Sequence, residues 1–389
     1  MGLLFGYLSL CFCFYLYTIM KKVYSLVACL AFFFVLTGAT AQTLRSGFDA
    51  IEYCNLLGLS ARQGDTTTWV NVKTPAADGY KLAYRSPAMP LDNRFDLWTA
   101  SGKVPVISIR GTTIEQKSWI ENFYAAMVPA IGTINLSANQ TFAYKFAADS
   151  NAYVHAGWTI GLATIWGDLI TRIRSLYDTG ERNILIMGHS QGGAIAYLLH
   201  SQLYYMQKSG QLPADLVFKT YCSAPPKPGN LYYAYDFDFI TRNGMAYRVV
   251  NALDWVPQMP ISIQTADDVY KLNPLMNAKA QIKKMPLAQR IAVNYVSNQL
   301  KGSTYKAAKK FRKYMGKKAY PFIKKSLPNL KQPNYAASMD YSTAGVPIIL
   351  QPTSGYADLV GKNPENTFTH HMIMPYYYLV TEHYINSIK

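Results

Sequence analysis

Residues 183–193 read Asn183-Ile184-Leu185-Ile186-Met187-Gly188-His189-Ser190-Gln191-Gly192-Gly193, a short apolar run that passes directly into a G-x-S-x-G pentapeptide. A helix-forming stretch, Gln191–Gln207, follows at once. At ordinary glycine usage such a pentapeptide arises by chance in about one chain in ten of this length. The setting carries more weight than the motif. A serine between a buried strand and a helix sits on a tight turn, and glycines two positions to either side (Gly188 and Gly192) let neighbouring backbone pass close by. The helix start then aims backbone N–H groups at a charge developing beside the serine.

Outward from this stretch the pattern is regular. Val104–Arg110, Asn183–Met187, Leu216–Tyr221 and Ala246–Val250 read as short buried strands, and helical spacing fills Ser118–Met127, Gly157–Leu176 and Gln191–Gln207. Strands of this length alternating with longer helices predict βαβ units around a mostly parallel central sheet, an α/β fold. Nearer the N-terminus, Thr68–Lys73, Lys81–Arg85 and Phe95–Ala100 are strand-like. No internal repeat is present.

A serine hydroxyl attacks only when a base takes its proton and a carboxylate holds that base. In α/β chains with this turn the order is Ser, then Asp or Glu, then His. Beyond the helix that follows Ser190 lie three histidines: His370, His371 and His383. Asp254 is the best-placed acid, since it follows the strand Ala246–Val250 by a short loop. Asp267, Asp268 and Asp358 read as solvated alternatives. His189 lies inside the turn, poorly placed to reach round to Ser190, and His200 reads as a packing or surface residue of the following helix.

Four further segments extend the match to a known family. Val106–Thr112 (VISIRGT) with Trp119-Ile120-Glu121-Asn122, Val154–Trp158 (VHAGW), Thr220–Asn230 (TYCSAPPKPGN) and Arg248–Pro260 (RVVNALDWVPQMP) resemble motifs of the class 3 lipases, which belong to the α/β-hydrolase superfamily. The resemblance runs from about 100 to 260 and resumes near 370. It implies an α/β-hydrolase fold and a lipid ester substrate, triacylglycerol or phospholipid, with no metal or cofactor. It also implies Ser190 as nucleophile, Asp254 as triad acid, and Thr112 and Gln191 as donors of the oxyanion hole. His155 matches a family histidine outside the triad and is expected to order loops near the site. For the base, Thr367–Tyr378 offers His370 and His371 side by side; His371 has the better spacing to Tyr376, with His370 the alternative and His383 further off.

The net charge of +16 is localised. Residues 271–331 hold fourteen Lys and two Arg with no acidic residue, so the rest of the chain is balanced. Two helices are expected there, Ala278–Leu300 and an amphipathic Tyr305–Ala319 that Pro321 ends. In the second, Ala307, Ala308, Phe311, Tyr314 and Met315 oppose five lysines. This basic helical insertion precedes the base and separates it widely from Asp254, a departure from the compact fungal pattern. It is expected to be a lid or a dock for an anionic membrane or lipid-droplet surface, with a merely solvated insertion as the bland reading. Without a stacking platform or a recognised motif, nucleic-acid binding is not expected. A non-catalytic protein that binds anionic surfaces through 271–331 is the rival from another class.

Residues 20–41 carry Lys21-Lys22, an apolar run and Ala39-Thr40-Ala41, the pattern of an export signal cleaved near Ala41. The expected organisation is therefore a mis-called start and signal over 1–41, a lipase-like domain over 42–265 and 335–389, and the insertion over 266–334. The mature protein is expected outside the cytoplasm, secreted or periplasmic. It would keep two cysteines, Cys54 and Cys222, enough for one disulfide.

Overall fold

Apolar and β-branched runs supply thirteen strands among the described residues. They are β1 (Lys81–Arg85), β2 (Phe95–Thr99), β3 (Val106–Ile109), β4 (Met127–Pro129), β5 (Ile131–Asn135), β6 (Thr141–Lys145), β7 (Tyr153–His155), β8 (Asn183–His189), β9 (Val217–Ser223), β10 (Gly229–Asn230), β11 (Ala246–Asn251), β12 (Tyr341–Ser342) and β13 (Val346–Leu350). Seven of them form the central sheet in the order β1-β2-β3-β8-β9-β11-β13. From β3 to β13 every pairing is parallel, and only β1 and β2 join antiparallel. This is the mostly parallel, helix-flanked sheet of an α/β-hydrolase fold. The computed structural model describes residues 20–21, 43–63, 77, 79–272, 282–362 and 365–388.

Two units divide the chain, Met1–Gln42 and Thr43–Lys389. Of the first only Met20 and Lys21 are described, both helical and exposed. Apart from these two residues the expected export signal lies outside the described residues, as does the strand-like run Thr68–Lys73. Within the second unit the main helices are α1 (Ala50–Ala61), α2 (Gln116–Phe123), α3 (Ala156–Asp178), α4 (Gln191–Lys208), α5 (Leu231–Ile240), α6 (Leu287–Arg312), α7 (Tyr320–Ser326), α8 (Tyr356–Val360) and α9 (Ile373–Val380).

A parallel sheet buried on both faces needs two cores. One gathers Ile107, Ile184 and Ile186 of the sheet with Ile165 and Leu169 of α3 and Ile195 and Leu199 of α4. The other face packs Val106, Leu185, Met187 and Val249 against Leu56 and Leu57 of α1 and Tyr376 and Leu379 of α9. Cys54 and Cys222 are both buried and unpaired, so the disulfide is not formed.

Three expectations are corrected. Helical spacing over Ser118–Met127 gives way after Phe123, and Met127–Pro129 becomes a strand paired with β7. The Ala126 amide donates to the Met315 carbonyl at 3.2 Å, a long-range contact that takes the place of another helical turn. Residues 278–281 of the first expected basic helix lie outside the described residues, and among the described ones a single helix, α6, runs through the expected break between Leu300 and Tyr305, with Pro286 at its N-cap position and Gly302 tolerated inside it. The Lys313–Lys318 turn then leads into α7, where Pro321 lies in the first turn and opens the helix instead of ending one. At the neck of this excursion Ile263 and Met339 pair in an isolated antiparallel bridge.

Candidate active site

Ser190 joins β8 to α4 in the left-handed region, with φ 59° and ψ −129°. An L-residue held there is strained, and the close packing of two glycines makes the turn possible. A Cβ on Gly188 would overlap the Gly192 carbonyl, and one on Gly192 would overlap the Ile109 carbonyl of β3. The Ser190 amide donates to the Ser223 carbonyl at 2.9 Å, tying the turn to the end of β9. These contacts hold the serine above the C-terminal edge of the sheet, where α/β folds place their ligands.

Asp254 stands three residues beyond β11, with its amide donating to the Asn251 carbonyl at 3.0 Å. It is 2% exposed. Its Oδ1 accepts from the Val256 amide at 2.9 Å, and its Oδ2 accepts from the Tyr376 hydroxyl at 2.8 Å. That same Oδ2 lies 2.7 Å from His371 Nδ1, while His371 Nε2 lies 2.8 Å from Ser190 Oγ. With a carboxylate accepting at Nδ1, the free Nε2 lone pair faces the serine proton.

Of the two adjacent histidines only His371 meets the serine. His370 turns the other way, stacks on Tyr356 and places Nδ1 2.9 Å from that hydroxyl. His383 pairs with the Gln351 carbonyl at 2.7 Å on the exposed side of the C-terminal turn. His200 is buried against the Thr220 hydroxyl, as a packing residue.

Thr112 and Gln191 meet through their side chains. The Thr112 hydroxyl donates to Gln191 Oε1 at 3.1 Å and accepts from Asn122 Nδ2 at 2.9 Å. Asn122 is oriented in turn by Trp158, whose indole N–H donates to Asn122 Oδ1 at 3.0 Å. His155 completes this scaffold. Its ring stacks on Trp158 at 3.6 Å, its Nε2 meets the Asn122 carbonyl at 3.2 Å, and its Nδ1 caps α3 at the Trp158 amide. Burial pushes its pKa down to about 3, so it stays neutral in these roles.

Behind Gln191 lies a carboxyl the sequence reading passed over. Glu121 is fully buried, and burial lifts its pKa to about 8, against which the Asn93 hydrogen bond at 2.7 Å works only in part. Asn93 Oδ1 in turn lies 3.4 Å from Gln191 Nε2. Ser223 and Tyr53 were likewise missed, because hydroxyls on core strands and helices read as packing residues.

A cavity of about 690 Å³ opens at Ser190 and His371, and its walls are mainly apolar. Trp119, Trp255, Met259, Phe368, Phe311 and Met315 line it. The last two come from the basic excursion, so the apolar stripe of that segment is divided. Ala308 and Gly316 are buried, Phe311 and Met315 face the cavity, and Tyr314 is left 56% exposed.

Residues 106–263 match the family described as Lipase (class 3). This segment belongs to the class 3 lipases. Ser190 and Asp254 both fall inside it, and His371 lies beyond it. Among solved structures the chain is similar to the Rhizomucor miehei lipase propeptide complex, at 20% identity over 57% of this chain and 68% of that one, with TM-score 0.39. It is also similar to a triacylglycerol lipase from Penicillium expansum, at 19% identity over 55% and 75% of the two chains, with TM-score 0.40. A lipase from Rhizopus microsporus var. chinensis gives 18% identity over 58% and 76%, with TM-score 0.37. No curated protein matches the sequence.

Proposed function

We propose that the chain is a serine ester hydrolase of the lipase type that cleaves acyl esters of lipids, triacylglycerol or phospholipid. One observation carries this reading: the His371 ring bridges Ser190 Oγ and Asp254 Oδ2 at 2.8 and 2.7 Å, at the floor of an apolar cavity. His371 takes the Ser190 proton as Oγ attacks the ester carbonyl. The backbone N–H groups of Thr112 and Gln191 stabilise the tetrahedral oxyanion. His371 then returns the proton to the departing alcohol, and water, activated the same way, releases the fatty acid from Ser190.

The apolar walls accept an acyl chain, and the rim extends the apolar surface outward. Ile114, Ile261 and Met372 all line the opening and are largely exposed. Beside them stands the basic excursion. Leu287, Ile291 and Tyr295 follow at i, i+4 and i+8 along one side of α6 and are exposed, with Lys283 and Lys284 preceding the helix. This arrangement supports adsorption on an anionic membrane or lipid-droplet surface, with lysines at head groups and the rim at the acyl boundary. The Lys21-Lys22 run and its apolar tail support export.

Hydrolysis of p-nitrophenyl acyl esters by the wild type and by Ser190→Ala tests the chemistry. Ser190→Ala is expected to lose about 10⁴-fold or more in kcat; equal rates would end the hydrolase reading. Charge reversal at Lys306, Lys309, Lys310 and Lys313 is expected to weaken binding to vesicles of graded anionic content, and unchanged binding would remove the surface role.

A further inference from the structure

The segment that carries His371 is held by its backbone, from two side chains at the ends of sheet strands. His189, the last residue of β8, places Nε2 2.8 Å from the His371 carbonyl oxygen. Asn251, the last residue of β11, places Nδ2 3.0 Å from the His370 carbonyl oxygen. Two consecutive carbonyls of the base segment are thus gripped by donors that belong to the sheet.

The proton positions follow from valence. A carbonyl oxygen only accepts, so His189 Nε2 carries the ring proton and Nδ1 is left as an acceptor. The Ser223 hydroxyl, 3.0 Å from Nδ1, therefore donates to it. The Tyr53 hydroxyl, 2.6 Å further back, donates to Ser223 Oγ. All three protons point one way, from α1 to the His371 carbonyl. Burial, reinforced by the neighbouring His371, holds His189 at about 3, so this single-proton ring persists at ordinary pH. Asn251 is equally determined. Its Oδ1 accepts from the Leu253 amide at 3.1 Å, and its two amide protons go to the His370 carbonyl and, at 2.8 Å, to the Tyr356 hydroxyl. The Tyr356 hydroxyl in turn lies 2.9 Å from His370 Nδ1.

We infer that His189 and Asn251 are positioning residues, which fix the His370–His371 backbone so that the His371 ring meets both Ser190 and Asp254. The inference rests on the triad reading above. Ser223 gives it a mechanical centre: its carbonyl holds the Ser190 amide while its hydroxyl, through His189, holds the base segment. Nucleophile and base are therefore registered against one residue of β9. A displacement of about 1 Å in such a pair is enough to cost on the order of a hundredfold in rate.

The test uses the full chain and a soluble short-chain p-nitrophenyl ester. His189→Phe keeps a ring but has no donor; its kcat is expected to fall by between about tenfold and a hundredfold with KM within about twofold. His189→Gln, whose amide can reach the same carbonyl, is expected to recover most of that loss. Asn251→Asp, which removes the other donor, is expected to lower kcat in the same way and serves alone if His189→Phe does not fold. Hydrogen exchange at residues 366–372 supplies a readout independent of turnover, and is expected to speed up in His189→Phe and Asn251→Asp. Wild-type kcat in folded His189→Phe, or no difference between the Phe and Gln variants, overturns the positioning role. If the wild type cleaves no ester the triad reading fails, and unchanged exchange in both donor-deleted variants then overturns the backbone tie separately.

Discussion

The turn at Ser190 and the first half of α6 are both made of short-range sequence signals, yet they end in opposite environments. At the turn every group is engaged. The strand before it pairs on both sides, the glycines leave no room for a Cβ, and the serine amide, the histidine ring beside it and the helix behind it all have partners. Along α6, from Leu287 to Val296, the side chains are exposed on all sides except the half-buried Arg290. Twenty residues later the same excursion is anchored again, with Ile323 fully buried and Met315 hydrogen-bonded to Ala126. The difference teaches that motif strength tracks the number of independent constraints on a residue, and that helical propensity alone leaves a surface looking for a use.

The sharpest way to break this comparison is at the acid. Asp254→Asn should keep the fold but disfavour the working tautomer of His371, lowering kcat by about 10⁴-fold in steady-state ester hydrolysis. Next in size is the anchored half of the excursion. Ile323→Ala should cost about 2–5 kcal/mol in denaturant unfolding, because the fully buried side chain leaves a cavity. A loss below 0.5 kcal/mol would mean that α7 is not part of the core.

Glu121 offers a finer test through pH. Its folded pKa stands near 8 against an ordinary 4.5, so between these values the unfolded chain releases a proton the folded one keeps. Its contribution to stability is complete below about pH 4.5 and is lost as pH rises towards 8. Glu121→Gln should therefore flatten the fall of Tm between pH 5 and pH 8 and gain most on the wild type at pH 8. The buried histidines act in the other direction: His155 and His200, at about 3 and about 4, cost stability as pH drops below 6.5. The smallest effect belongs to the exposed half of α6, where Ile291→Ser should change unfolding free energy by less than about 0.5 kcal/mol while weakening adsorption to anionic vesicles.

Much of the site was legible because its chemistry constrains chain order. A strand, a serine between glycines, an acid beyond the next-but-one strand and a late histidine with Tyr376 behind it can be read without coordinates. Thr112 and His155 were reachable only through the resemblance. What stayed hidden depended on contacts between distant segments. The helical pattern over Ser118–Met127 could not reveal that Ala126 meets Met315, nor could the tyrosine at 53 announce that it starts a proton chain ending at residue 371. Glu121 was named only as part of the Trp119–Asn122 motif, since its position on α2 says nothing of Gly161, whose missing side chain makes room for it.

The Ile263–Met339 bridge has a consequence for how this chain could be rebuilt. It brings the two ends of the basic excursion side by side, and β11 and β13, which precede and follow that neck, are already neighbours in the sheet. Because the entropy of closing a loop grows only slowly with its length, the excursion behaves as a cartridge: a shorter turn or a foreign helix could be fitted at the neck without re-threading the sheet. The exchange would not be silent, however. Phe311 and Met315 would leave with the cartridge, so a swap that altered where the protein settles would also redraw one wall of the chamber above Ser190.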